Sequence, residues 1–111
     1  MWLVTTLGFF SVVQKDGESD LTVRARSRGD LDRLREQFLP DLGPTVEGAG
    51  TDYQYRAKVS HQHFSAGAAR MTENIDYDNF KNAVAKRMGH QRASAYSNVW
   101  RDLWAISKEE G

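Results

Sequence analysis

Three arginines spaced two residues apart carry the clearest chemical signal in this chain. Thr22, Arg24, Arg26 and Arg28 alternate with Leu21, Val23, Ala25 and Ser27, the period-two pattern of a strand with one apolar or small face and one cationic face. Guanidinium groups side by side on a pleat repel one another unless anions or carboxylates lie opposite. The logic recurs further on, where Tyr53, Tyr55, Ala57 and Val59 alternate with Gln54, Arg56 and Lys58. Arg24, Arg26, Arg28, Arg56 and Lys58 therefore form a candidate binding face. Its aromatic comes from the first strand, Phe10 or Phe9 according to register, with Phe10 taken as the site residue. Aromatic rings on a sheet flanked by Arg and Lys are how several small folds stack bases and neutralise phosphates. The same charges have a purely structural reading, as edge strands protected against edge-to-edge aggregation, with a partner sheet or the C-terminal helix over the aromatics. A homodimer face is a third reading.

Other residue types offer weaker chemistry. Asp76 and Asp78 resemble the paired carboxylates of metal-dependent nucleases, although two acids at this spacing just before a helix are also ordinary caps. His61 or His63 would have to join them as a ligand. In a regular helix those two diverge by about 200° and cannot chelate one ion together. The chain has no nucleophile motif, phosphate-binding glycine loop or dinucleotide fingerprint. It also has no cysteine, which excludes disulfides, thiolate catalysis and Cys-based zinc sites and fits a reducing compartment, with the cytoplasm as the default. No cofactor is expected. The expected function is a small non-enzymatic interaction module that binds a protein partner or nucleic acid through the cationic sheet face. A metal-dependent nuclease or toxin-like ribonuclease on a ferredoxin-like dimer is the alternative.

Composition sets the frame for these groups. The 111 residues are 40% hydrophobic and 27% charged, an ordinary globular balance expected to form a single domain over residues 1–111. Fifteen Lys and Arg offset fifteen Asp and Glu, so attraction to a polyanion must come from segregation of charge. Segregation is present: residues 79–101 hold Lys81, Lys86, Arg87, Arg92 and Arg101 and no acid. No run approaches the roughly 20 apolar residues of a membrane helix, and no membrane partner is expected.

The positioning elements follow from pattern. Residues 2–14 are β-branched and aromatic on both faces and read as one central strand, with Gly8 as a bulge or close approach. Asp16-Gly17 predicts a hairpin into a second strand over about Leu21–Ser27. Asp30 is expected to cap a helix with Leu31, Leu34 and Phe38 on its apolar stripe, ended by Pro40. A loop spans Pro40–Thr51. A third strand starts at Tyr53, Ser60 caps a helix carrying Phe64, Ala68 and Met71, and Asp78 or Asn79 caps another carrying Phe80, Val84 and Met88. Gly89 ends or kinks it. Ala93, Tyr96, Val99, Trp100, Leu103 and Trp104 continue a helical stripe, expected to pack against the sheet. The order β-β-α-β-α-α predicts an α+β fold: a three-stranded antiparallel sheet in order 2-1-3 with helices on one face, a ferredoxin-like variant.

WLVTTLGFFSVVQK, RGDLDRLRE and IDYDNFKNAVAKRMGH with YSNVW resemble a recurrent family of small bacterial proteins without an assigned activity. The resemblance covers nearly the whole chain. It implies a bacterial or phage setting and carries over no site residues.

Overall fold

A computed structural model describes residues 1–48 and 52–110. The chain divides into two compact units, residues 1–76 and 77–111. Unit one begins with β1 (Trp2–Val4), β2 (Phe9–Gln14), β3 (Leu21–Ala25) and helix α1 (Arg28–Gln37). It continues with β4 (Val46–Glu47), β5 (Tyr55–Val59) and helix α2 (His61–Glu73). Unit two holds α3 (Phe80–Met88), α4 (His90–Leu103) and a 3-10 turn over Trp104–Lys108. The α+β class stands, but the three-stranded sheet in order 2-1-3 is replaced by a five-stranded antiparallel sheet in order β1-β2-β3-β5-β4.

The physical reason lies in the first thirteen residues of strand-forming sequence. As one strand, residues 2–14 would run roughly 43 Å at about 3.3 Å per residue, too long for so small a sheet. They fold back on themselves instead, with Trp2 opposite Ser11 and Val4 opposite Phe9. Thr5 closes the turn: its hydroxyl accepts from the N–H groups of Leu7 and Gly8 and donates to the Gly8 carbonyl at 2.9 Å. This hairpin fills the edge of β2 that the predicted order reserved for the third strand. Antiparallel β3 takes the other edge, so β5 must pair with β3. The arginine strand is thus central. Within the predicted loop from Pro40, Val46 and Glu47 pair with β5 as the fifth strand, and Thr51 lies outside the described residues.

One buried carboxylate joins the hairpin to α1. Ser27, not Asp30, is the N-cap of α1; Asp30 sits in the first turn, 2% exposed, where a negative charge complements the helix dipole. Its Oδ2 accepts from Phe9 N–H at 2.9 Å, its Oδ1 pairs with Arg33, and Arg33 Nε donates to the Leu7 carbonyl at 2.7 Å. Gly8 makes room for the arrangement, since a Cβ there would fall 2.6 Å from Asp30 Oδ2.

The core occupies the opposite face of the sheet from the cations. Phe10, Val12, Val23, Ala25, Ala57 and Val59 meet Leu31 and Leu34 of α1 and Phe64 of α2, each large side chain contributing roughly 1.5–3 kcal/mol on burial. Gly67 of α2 lies against Phe38 and Leu39, where a Cβ would meet Leu39 Cδ1 at 3.0 Å. Arg70 follows one turn later and donates twice to the Phe38 carbonyl, satisfying the exposed end of α1. Arg35 holds the following loop by donating to Leu42 O, Gly43 O and Thr45 Oγ1. The caps at Ser60 and Asn79 form as the sequence predicts, accepting from the N–H groups of His63 and Asn82.

Replacing Gly8 by Ala is expected to lower stability by about 1–3 kcal/mol through forced displacement of Asp30. Asp30→Ala, which orphans the Phe9 N–H and the Arg33 charge, should cost about 2–3 kcal/mol. Urea unfolding followed by far-UV circular dichroism measures both; stability within 0.5 kcal/mol of the parent chain would contradict this account.

Candidate functional site

Pairing β5 onto β3 assembles a cationic row that strands apart could not make. Reading across all five strands, Trp2, Ser11, Arg24, Arg56 and Val46 stand in register on one face. Arg24 and Arg56 are direct cross-strand partners, an unfavourable placement for like charges without an anion between them. Thr22 faces Lys58 one position along the same face. Ser11 is small enough for Arg24 to lie across it, and Arg24 Nη2 donates to its hydroxyl at 2.6 Å.

Aromatic rings flank this row. Trp2 is 67% exposed and meets the Phe9 ring edge-on, with centroids 5.6 Å apart. Phe9 in turn lies 6.3 Å from Tyr53. The Tyr53 ring receives two guanidinium groups, Arg24 at 4.7 Å and Arg26 at 5.3 Å from its centroid; such contacts hold cations in place without discharging them. Arg56 Nε reaches the Tyr53 carbonyl at 3.4 Å.

The five predicted cations divide into two groups. Arg28 leaves the pleat as the first residue of α1, ion-paired to Glu47 at 2.6 Å and lying over the Tyr55 ring. Lys58 stays on the face but pairs with Glu18. Arg24, Arg26 and Arg56 take part in none of the ion pairs among the described residues. Arg24 Nε is buried with no hydrogen-bond partner among those residues, a donor whose desolvation costs on the order of 1–3 kcal/mol until an acceptor meets it. Next to Arg56 a groove of about 460 Å³ is lined by Thr22, Val46 and Lys58 of the sheet together with Glu18, Gly43 and Pro44.

Phe10 is corrected by register. It is 0% exposed and belongs to the core, whereas Phe9 lies on the cationic side of the sheet against Trp2. Trp2, Ser11 and Tyr53 join this face through strand pairing and ring contacts that the sequence pattern alone does not show. The available signal is Ser11, which shares a face with Phe9 by the period of two, whereas Val12 shares one with Phe10.

His61 and His63 each meet a different side chain. His61 Nε2 lies 2.9 Å from Gln14 Oε1, and His63 lies 3.9 Å from Asp41. Among the described residues no group of three or more His, Asp or Glu side chains is placed to hold a metal ion. Nor is any described helix long and apolar enough to cross a membrane. No known family pattern, curated protein or solved structure matches the chain.

Glu18 raises the pKa of Lys58 above its ordinary value, first by hydrogen bonding and then by charge attraction. A raised folded-state value means that this pair's contribution to stability is fully present below the ordinary value of 10.5 and is lost as pH climbs through the raised one. Glu18→Gln should therefore move the Lys58 Nζ titration midpoint downward in a heteronuclear NMR titration. An unchanged midpoint would mean that the two side chains do not pair in solution.

Proposed function

We propose that unit one is a non-catalytic binding module for single-stranded nucleic acid, engaged through the sheet face that carries Arg24 and Arg56, with Arg26 just past the end of β3 over the Tyr53 ring. The observation that carries this reading is the direct opposition of Arg24 and Arg56 without a carboxylate partner among the described residues, beside an exposed tryptophan. Phosphate oxygens relieve the repulsion between the two guanidinium groups. Trp2 offers an exposed ring on which a base can stack, with Phe9 supporting it from the side.

A single strand suits this surface better than a duplex. Rings on a sheet reach unstacked bases, which a paired helix does not present. With the chain's charges balanced overall, binding depends on this local cluster and carries little blanket attraction to polyanions.

With three unpaired arginines in contact, affinity for a short oligonucleotide should fall with salt at a log–log slope of about −2. Combined substitution of Arg24, Arg26 and Arg56 by Ser should flatten that slope and abolish retention, with circular dichroism unchanged. Trp2→Ala should weaken binding by about 1–3 kcal/mol. Fluorescence anisotropy with labelled oligouridylate and oligothymidylate reads all three effects. Binding that survives the triple substitution, or the absence of any binding at low salt, would remove this function.

A further inference from the structure

The groove next to Arg56 is built from residues that the protein's own hydrogen bonds hold in place. Gly43 N–H donates to the Lys58 carbonyl at 2.8 Å, and a Cβ on Gly43 would fall 3.1 Å from that same oxygen. Only a glycine lets the chain pass so close to β5 here. Arg35 donates to the carbonyls of Leu42 and Gly43 and to the Thr45 hydroxyl, which fixes the approach to Pro44 and Val46. Glu18 pairs with Lys58, donates its N–H to the Lys15 carbonyl at 3.1 Å and accepts at its own carbonyl from Gln14 Nε2 at 2.8 Å. The lining is therefore pre-formed. Its volume of about 460 Å³ falls within the roughly 300–1,000 Å³ of small-molecule sites.

We infer that this groove binds a small carboxylate with an apolar body. Three observations point to that class of ligand. The first is apolar surface: Pro44, Val46 and Ala57 line the groove, and Val46 is 55% exposed on the two-residue strand β4, where a ligand's apolar body can cover it. The second is charge. Lys58 is held by Glu18, whereas Lys15 and Arg56, also on the lining, take part in none of the ion pairs among the described residues. Arg56 donates Nε to the Tyr53 carbonyl and has its Nη groups left for a carboxylate. The third is Thr22, which lines the groove at 4% exposure with a hydroxyl that makes no hydrogen bond to any described residue. Thr22 stands directly opposite Lys58 and diagonal to Arg56, a diagonal of roughly 7–8 Å that long side chains bridge. One carboxylate can accept from both. A polyphosphate suits the groove less well, because Glu18 on the same lining repels it and the apolar residues offer it nothing. The site lies wholly within unit one and does not rest on nucleic-acid binding.

Heteronuclear NMR of the full chain titrated with hexanoate tests the site. Saturable shifts are expected at the amides of Thr22, Gly43, Val46, Ala57 and Lys58, with a dissociation constant on the order of 1 mM for so small a probe. Hexanol, which lacks the charge, and inorganic phosphate, which lacks the apolar body, should each bind at least about tenfold more weakly. Arg56→Gln should weaken hexanoate binding at least about tenfold. Because Arg56 also belongs to the arginine row, Thr22→Val supplies a second arm: it keeps the side chain's shape, removes the hydroxyl, and should weaken binding about threefold or more with the rest of the spectrum unchanged. No saturable shift up to about 50 mM hexanoate, hexanol or phosphate bound as tightly as hexanoate, or an affinity indifferent to both substitutions would each overturn the inference.

Discussion

The buried carboxylate of Asp30 is the constraint from which the sheet follows. A carboxylate at 2% exposure must be paired and hydrogen-bonded to be tolerated. Asp30 meets that demand by reaching out of the first turn of α1 to the Phe9 N–H and to Arg33, which itself reaches the Leu7 carbonyl. Helix and hairpin turn are thereby tied at one point, with Gly8 in the gap. Once the turn is fixed there, β1 occupies one edge of β2 and β3 the other. The crossover through α1 then delivers β5 to β3, and Arg56 arrives opposite Arg24.

That sequence of consequences explains why the cationic face has two characters. Where acids are near in space, charges cancel: Glu18 comes from the β2–β3 turn to Lys58, and Glu47 from β4 to Arg28. In the middle of the sheet the neighbours of Arg24 are Ser11, Arg56 and the Tyr53 ring, none of which bears negative charge. Cation–π contact and a hydroxyl hold Arg24 in a defined pose without neutralising it. A pre-positioned, undischarged guanidinium is the form that recognises phosphate at low entropic cost.

Unit two follows a different rule, in which helix length sets what is covered. The Phe80–Tyr96 stack marks the level at which the shorter helix ends, and the longer one carries its apolar stripe onward. Hydrophobic spacing along α4 states that the stripe faces something; it does not name the covering element.

Much of the local structure was legible in the sequence because it depends on neighbours along the chain. The Asp16-Gly17 turn, the Ser60 and Asn79 caps, the break at Gly89 and the period-two alternation of Leu21–Ala25 and Tyr55–Val59 all appear as their residues dictate. So did the cationic composition of one sheet face. What the sequence could not determine was strand order, the outward phenylalanine, the role of Asp30 and which cations stay uncancelled. Each depends on partners far apart in the chain: Asp30 on Phe9, Lys58 on Glu18, Arg56 on Arg24. A pleat reveals which residues share a face from its own period of two, but the charge environment of that face is set by the strand that tertiary folding brings beside it.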